Sequence, residues 1–145
     1  MSETKIRIED GPVAVTGASG YIGSRIVEDL VEQGYAVNAC VRDASSAIKT
    51  DHLSEMNKKG LGGSVELHEG DLFKKGSYNK AFSGCSAVIH AGATVGFNRE
   101  TPQEVYDGCF TENEHVLNSI KQSNTVKRFV FTSSFAAIGH PRPEG

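Results

Sequence analysis

The chain has 145 residues, which suits one domain with a real core. Its formal net charge of -3 gives no reason to expect nucleic acid or an anionic membrane surface as a partner. No apolar run, residues 86–93 included, is long enough to span a bilayer, and the polar segment 1–11 has no apolar signal core, so the expectation is a cytoplasmic protein.

Residues 12–16 form a short β-branched run, read as a buried first strand. A glycine-rich turn follows. Ile22, Ile26, Val27, Leu30 and Val31 then recur at helical spacing, and Gly34 supplies a stop. Residues 36–41 read as a second strand. Residues 45–60 read as a loose helix with Ile48, Leu53 and Met56 inward. Residues 64–68 alternate as a third strand, ended by Gly70, Asp71 and Leu72. A short helix fits 77–82 and a fourth strand 87–90. A longer helix fits 102–123, with Val105, Cys109, Val116, Leu117 and Ile120 as core candidates. Residues 128–132 are an apolar fifth strand, and 139–145 are a Pro/Gly-rich loop. Strand and helix alternate throughout. That order predicts an α/β fold, a doubly wound parallel (Rossmann) sheet of about five strands ordered 3-2-1-4-5, in a single domain over 1–145.

The turn at 16–23 places Gly17, Gly20 and Gly23 three residues apart, directly after a strand and opening a helix. That context suits a dinucleotide: Gly17 for the tight turn, Gly20 for close approach of backbone to the pyrophosphate, and Gly23 for close helix–strand packing. The helix N-terminus, where Ser19, Tyr21 and Ile22 also lie, offers N–H groups and a partial positive charge to that pyrophosphate. No Gly-Lys-Ser/Thr comes after it, so the turn is not a P-loop. The second strand ends in Val41, Arg42 and Asp43. An Arg there suits the 2′-phosphate of NADP, with Lys49 able to fold back onto it; Asp43 keeps NAD open. Asp71 can accept from an adenine amino group or cap a helix before Leu72 and Phe73. Ala91, Gly92 and Ala93 leave room beside a ribose, or simply make a strand-end turn. Thr132, Ser133 and Ser134 end the fifth strand on the carboxyl side of the sheet, where a hydroxyl can hold a substrate carbonyl or cap the next segment. His90 reads as packing at the end of the fourth strand. The five histidines show no metal-ligand spacing, so no metal is expected, and the widely spaced Cys40, Cys85 and Cys109 read as reduced thiols.

Taken together, the stretches 15–24, 41–43, 70–72, 88–94 and 126–134 resemble the extended short-chain dehydrogenase/reductase superfamily, in its dihydroflavonol-4-reductase-like branch. The resemblance implies a pyrophosphate loop at Gly17, Gly20, Tyr21, Ile22 and Gly23, and a 2′-phosphate pair in Arg42 and Lys49. It implies an adenine pocket at Asp71 and Leu72, a ribose wall at Ala91, Gly92 and Ala93, and a catalytic serine at Ser134. The small-molecule partner would carry a carbonyl or alcohol. Phe97, Phe135 and Ile138 are candidate walls of its pocket.

The family's acid is a Tyr followed four residues later by a Lys. None of Tyr21, Tyr35, Tyr78 and Tyr106 has that partner. A sixth strand and a C-terminal substrate region are likewise absent from residues 1–145. Many relatives carry an Asn in the helix before the fifth strand, where this chain aligns Cys109. The expectation is therefore the cofactor-binding portion of an NADP-dependent reductase, inactive by itself, with an exposed fifth strand that favours self-association. Two alternatives share the motifs: an NAD-dependent sugar-nucleotide epimerase/dehydratase or 3β-hydroxysteroid dehydrogenase-like enzyme, and a non-catalytic dinucleotide-binding module.

Overall fold

Each central strand is apolar on both faces because helices cover both sides of the sheet. A computed structural model describes residues 5–94, 101–134, 137 and 139. Its strands are β1 (Val13–Thr16), β2 (Ala36–Val41), β3 (Ser64–Glu69), β4 (Ala87–His90) and β5 (Arg128–Phe131). Its helices are α1 (Tyr21–Glu32), α2 (Ala47–Ser54), the single turn α3 (Asn79–Phe82) and α4 (Pro102–Ser123). The strands pair in parallel in the order β3-β2-β1-β4-β5. This is the doubly wound sheet that the alternation predicts. Among the described residues no helix is long and apolar enough to cross a membrane.

The pleat divides the core in two. Val15, Val37, Ala39, Val41 and Val65 turn toward α1 and α2, where Val27, Val31, Leu53 and Met56 meet them. Ala14, Cys40 and Val88 turn toward α3 and α4, where Tyr78, Phe82 and Val116 meet them. Each fully buried side chain of this size contributes about 1.5–3 kcal/mol. One polar group in the second cluster is satisfied internally: the Asn38 amide donates to the Ala81 carbonyl at 2.8 Å and to the Cys85 sulfur at 3.4 Å. Burial pushes the Cys85 thiol up to about 11, the Asn38 hydrogen bond opposing it. Burial also raises the Cys40 thiol. Both thiols are therefore held protonated, which makes them poor nucleophiles.

Helix ends follow local chemistry. Gly34 at φ +93° ends α1 with paired bonds, its N–H to the Val31 carbonyl and the Tyr35 N–H to the Leu30 carbonyl. Thr101 and Glu104 form a reciprocal capping box at the start of α4.

Three expectations are corrected. The segment 45–60 is an eight-residue helix followed by a 3-10 turn at Glu55–Lys58. Leu53 and Met56 are buried in it, but Ile48 is 97% exposed, because Thr50 and Leu53 form the inner face. On α4 the buried positions are Glu112, Val116 and Ser119, while Leu117 is exposed and Val105, Cys109 and Ile120 are half-buried. The inner face of the helix is mixed: Val116 and Ile120 pack on the sheet as expected, and Glu112 and Ser119 are buried beside them. Strand β5 stops at Phe131, one residue short of the expected end.

Among the described residues no strand lies outside β5, and Val130 and Phe131 are exposed. An uncovered apolar edge pairs readily with another. The expected outcome is concentration-dependent self-association in sedimentation velocity, reduced by Val130→Lys. A clean monomer at high concentration would exclude it.

Candidate functional site

The chain reverses between β1 and α1 where backbone passes against backbone. Gly17 sits at φ +66°, the left-handed region that favours glycine. A Cβ there would lie 2.7 Å from Gly92 Cα and 2.8 Å from Gly92 N. A Cβ at Gly23 would lie 2.1 Å from the Gly17 carbonyl oxygen. Two glycines thus let the turn touch the end of β4, and the third lets α1 touch the turn. Gly20 is the N-cap of α1 and, having no side chain, caps nothing itself. The N–H groups of the first helical turn lack intrahelical acceptors, and they carry the positive end of the helix dipole.

A cleft of about 490 Å³ opens at the carboxyl ends of β1 to β4. Gly17, Ser19 and Gly20 line it from the turn, and Ala91, Gly92 and Ala93 from the end of β4. Cys40, Val41, Arg42 and Asp43 line it from the end of β2, and Lys49 from α2. Gly70, Leu72 and Tyr78 close the far side. Four separate strand ends and one helix therefore bring most of the sequence-selected residues to one cavity.

One oxygen of the Asp43 carboxylate is engaged within its own loop. Its Oδ1 accepts the Ser45 hydroxyl at 2.6 Å and the Ser45 N–H at 2.9 Å. These bonds hold its carboxyl below the usual carboxylate range. Among the described residues no hydrogen bond or ion pair engages the Arg42 or Lys49 side chains.

The remaining selected residues lie elsewhere. Gly23 is buried against the turn and does not line the cleft. The Tyr21 and Ile22 side chains are exposed and line a separate groove of about 400 Å³ with Arg25, Ile26, Leu30 and Ile89. Gly23, Val27 and Val31 occupy the inner face of α1, so positions 21 and 22 fall outside it. Asp71 also stays off the wall: its Oδ1 accepts the Phe73 N–H at 3.0 Å, which makes it the cap of a turn, since α3 begins only at Asn79. Ser134 is exposed beyond β5 and does not line the cleft. The Thr132 N–H, bonded to the His90 carbonyl at 3.1 Å, keeps that strand end beside β4. Phe97, Phe135 and Ile138 lie outside the described residues.

Several contributors escape sequence reading. The Ser77 hydroxyl accepts the Asp71 N–H and donates to the Asp71 carbonyl, fixing the loop after β3. Tyr78 stacks on Phe82 and lies over Gly70, where a Cβ would come within 2.3 Å of its ring. Thr16 and His90 are hydrogen-bonded at 2.5 Å, and His90 meets Asn113 at 3.1 Å. The α4 side chain that reaches the sheet end is thus Asn113, one turn beyond Cys109, whose carbonyl accepts from the Asn113 amide.

The sequence pattern of the NAD dependent epimerase/dehydratase family matches residues 13–145. The chain belongs to this family. Within it, the chain is 38% identical over 137 residues to a dihydroflavonol 4-reductase of Hordeum vulgare, covering 92% of this chain and 38% of that one. It is also 38% identical over 134 residues to the cinnamoyl-CoA reductase CAD2 of Medicago truncatula, covering 90% and 40%. The solved structure of Gre2 from Candida albicans in complex with NADPH superposes with a TM-score of 0.71 at 28% identity, covering 87% of this chain and 38% of that one. The chain therefore spans about two fifths of the length of these relatives. The epimerase/dehydratase family assignment accounts for the order of strand, glycine turn and helix without fixing the role of any one residue.

Gly23 carries the tightest steric demand. Gly23→Ala is expected to cost about 1–3 kcal/mol through overpacking against the Gly17 carbonyl. A thermal melt would read this as a clear loss of stability; an unchanged melt would show that α1 can move away freely.

Proposed function

We propose that the chain is the cofactor-binding portion of an NADP-dependent oxidoreductase acting on a carbonyl or hydroxyl group of a small molecule, in the manner of a dihydroflavonol reductase. The observation that carries this reading is the cleft itself: Arg42 and Lys49 share it with the glycine turn, while Ser45 engages one oxygen of the Asp43 carboxylate.

In this reading the uncapped first turn of α1, with Gly17, Ser19 and Gly20, receives the pyrophosphate. Ala91, Gly92 and Ala93 face the ribose. Leu72 and Tyr78 flank the adenine, with Asp71 holding their loop rather than reaching the base. Arg42 and Lys49 take the 2′-phosphate, for which a guanidinium offers paired donors. The nucleotide, when bound, supplies the hydride. Ser134 would donate to the substrate oxygen from the adjoining strand end. The NADPH complex of Gre2 supports the choice of nucleotide.

Two measurements test this. Titration with NADPH and with NADH is expected to favour NADPH, and Arg42→Ala is expected to weaken NADPH by about tenfold or more, since hydrogen bonds to charged groups contribute about 1.5–3 kcal/mol, with little effect on NADH. Equal affinities would favour the NAD-dependent epimerase or 3β-hydroxysteroid dehydrogenase reading; binding of neither would remove the cofactor reading. Residues 1–145 hold no Tyr-x-x-x-Lys, so the chain is expected to bind without turnover. Steady NADPH oxidation with a carbonyl substrate would overturn that expectation.

A further inference from the structure

We infer that His90 is a positioning residue: acting through Thr16, it sets the gap between the glycine turn and the wall formed by Ala91, Gly92 and Ala93. The role rests on the dinucleotide reading of the cleft, but its geometry originates far from that cleft, at a helix carbonyl.

The Cys109 carbonyl of α4 can only accept, so the Asn113 group 2.8 Å from it is the amide nitrogen. That leaves Asn113 Oδ1 facing His90 Nε2 at 3.1 Å. An amide oxygen only accepts, so Nε2 carries the proton. In the neutral ring Nδ1 is then bare, and it accepts the Thr16 hydroxyl proton at 2.5 Å. With its proton committed, the Thr16 oxygen is free to accept the Gly92 N–H, at 3.1 Å. One direction of donation thus runs from Gly92 through Thr16, His90 and Asn113 to the α4 backbone. Its near end lies where Gly17 and Gly92 touch.

His90 is 4% exposed and Thr16 is fully buried, so water does not substitute for either partner. Against the ring, β1 presents Thr16, α4 presents Asn113 and the buried carboxyl of Glu112, and β5 presents Phe129 and Phe131. Burial holds the ring below the ordinary histidine value of 6.5, although Asn113 and Glu112 oppose it. The neutral ring is the one that accepts from Thr16. A proton on Nδ1 would point at the hydroxyl oxygen, reverse the bond and force the hydroxyl to rotate, which disturbs the geometry in which it accepts from Gly92.

The test is NADPH titration of the wild-type chain, Thr16→Val, His90→Leu and His90→Asn between pH 5.5 and 8, with a thermal melt of each at pH 8 to confirm folding. Thr16→Val keeps the shape and removes the hydroxyl. It is expected to weaken NADPH about tenfold, a typical consequence of losing one buried hydrogen bond. His90→Leu should do the same. His90→Asn, whose Oδ1 can stand where Nδ1 stood, should restore affinity to within about twofold of wild type. The 2′-phosphate also titrates near about pH 6, so the deciding quantity is the difference between profiles. Wild-type affinity should fall more steeply below pH 6.5 than that of His90→Asn. Nitrogen NMR of the free wild-type protein should show a neutral ring protonated at Nε2. Normal wild-type binding with unaffected Thr16→Val and His90→Leu, or a ring protonated at Nδ1, overturns the positioning role alone. Failure of the wild type to bind NADPH at any pH overturns the cofactor reading and this role with it.

Discussion

The contact between Gly17 and Gly92 is the point on which the rest of the site depends. Strands β1 and β4 are hydrogen-bonded neighbours whose chains leave the sheet in different directions, one into α1 and the other along the cleft wall. At that divergence the two backbones are closer than a side chain at Gly17 permits. The closeness brings the Gly92 N–H within reach of the Thr16 hydroxyl, and it draws the opening turn of α1 in toward the wall. A β-carbon at Gly17 would widen the divergence and separate the helix N-terminus from Ala91, Gly92 and Ala93. Cleft shape is thus set by main-chain packing, with side chains fixing it afterwards.

That hierarchy explains how much was legible in the sequence. The five strands and their order follow from short β-branched runs separated by helix-length segments, and α4 matches its expected bounds because Pro102 and the Thr101–Glu104 pair mark its start chemically. Val116 and Ile120 were legible as inward positions on α4, but the polar residues buried beside them were not. Tyr106, Phe110 and Leu117 form an apolar stripe, yet all three are exposed, while Glu112 and Ser119 are buried. Periodicity finds a stripe; it does not find that Asn113 must reach a histidine on β4. Ile48 fails in a related way, since an eight-residue helix has too few turns for its apolar residues to define one face.

The site divides along the same line. Gly17, Gly20, Arg42 and Lys49 can be picked out by residue type and by position in the chain, and the structure brings all four to one cleft. Thr16, His90 and Asn113 act as a set, with Thr16 and His90 separated by 74 positions. Nothing in a sequence without its fold shows that a threonine closing one strand and a histidine closing another are paired in register, as β1 and β4 pair them. Tyr78 and Ser77 were hidden for a different reason. Their loop looks like the start of a helix, and only the fold shows it wrapping back over Gly70 and Asp71.

The rim charges bear on nucleotide choice through a local competition. Asp43 adjoins Arg42, and a free carboxylate there would repel a 2′-phosphate and welcome a ribose hydroxyl. Ser45 alters this with two short hydrogen bonds to a single oxygen, which spend that oxygen's accepting capacity inside the loop. The carboxylate charge remains, but it opposes two cations, Arg42 and Lys49, lining the same cavity. The contrast between helix ends points the same way. Thr101 satisfies the start of α4 with its own side chain, whereas the start of α1 has a glycine in the corresponding position. A helix start without a side-chain cap, beside a rim with more cations than carboxylates, leaves its N–H groups to an anion from outside the chain. On the proposed reading, this arrangement is the one that would suit a nucleotide carrying a 2′-phosphate as well as a pyrophosphate.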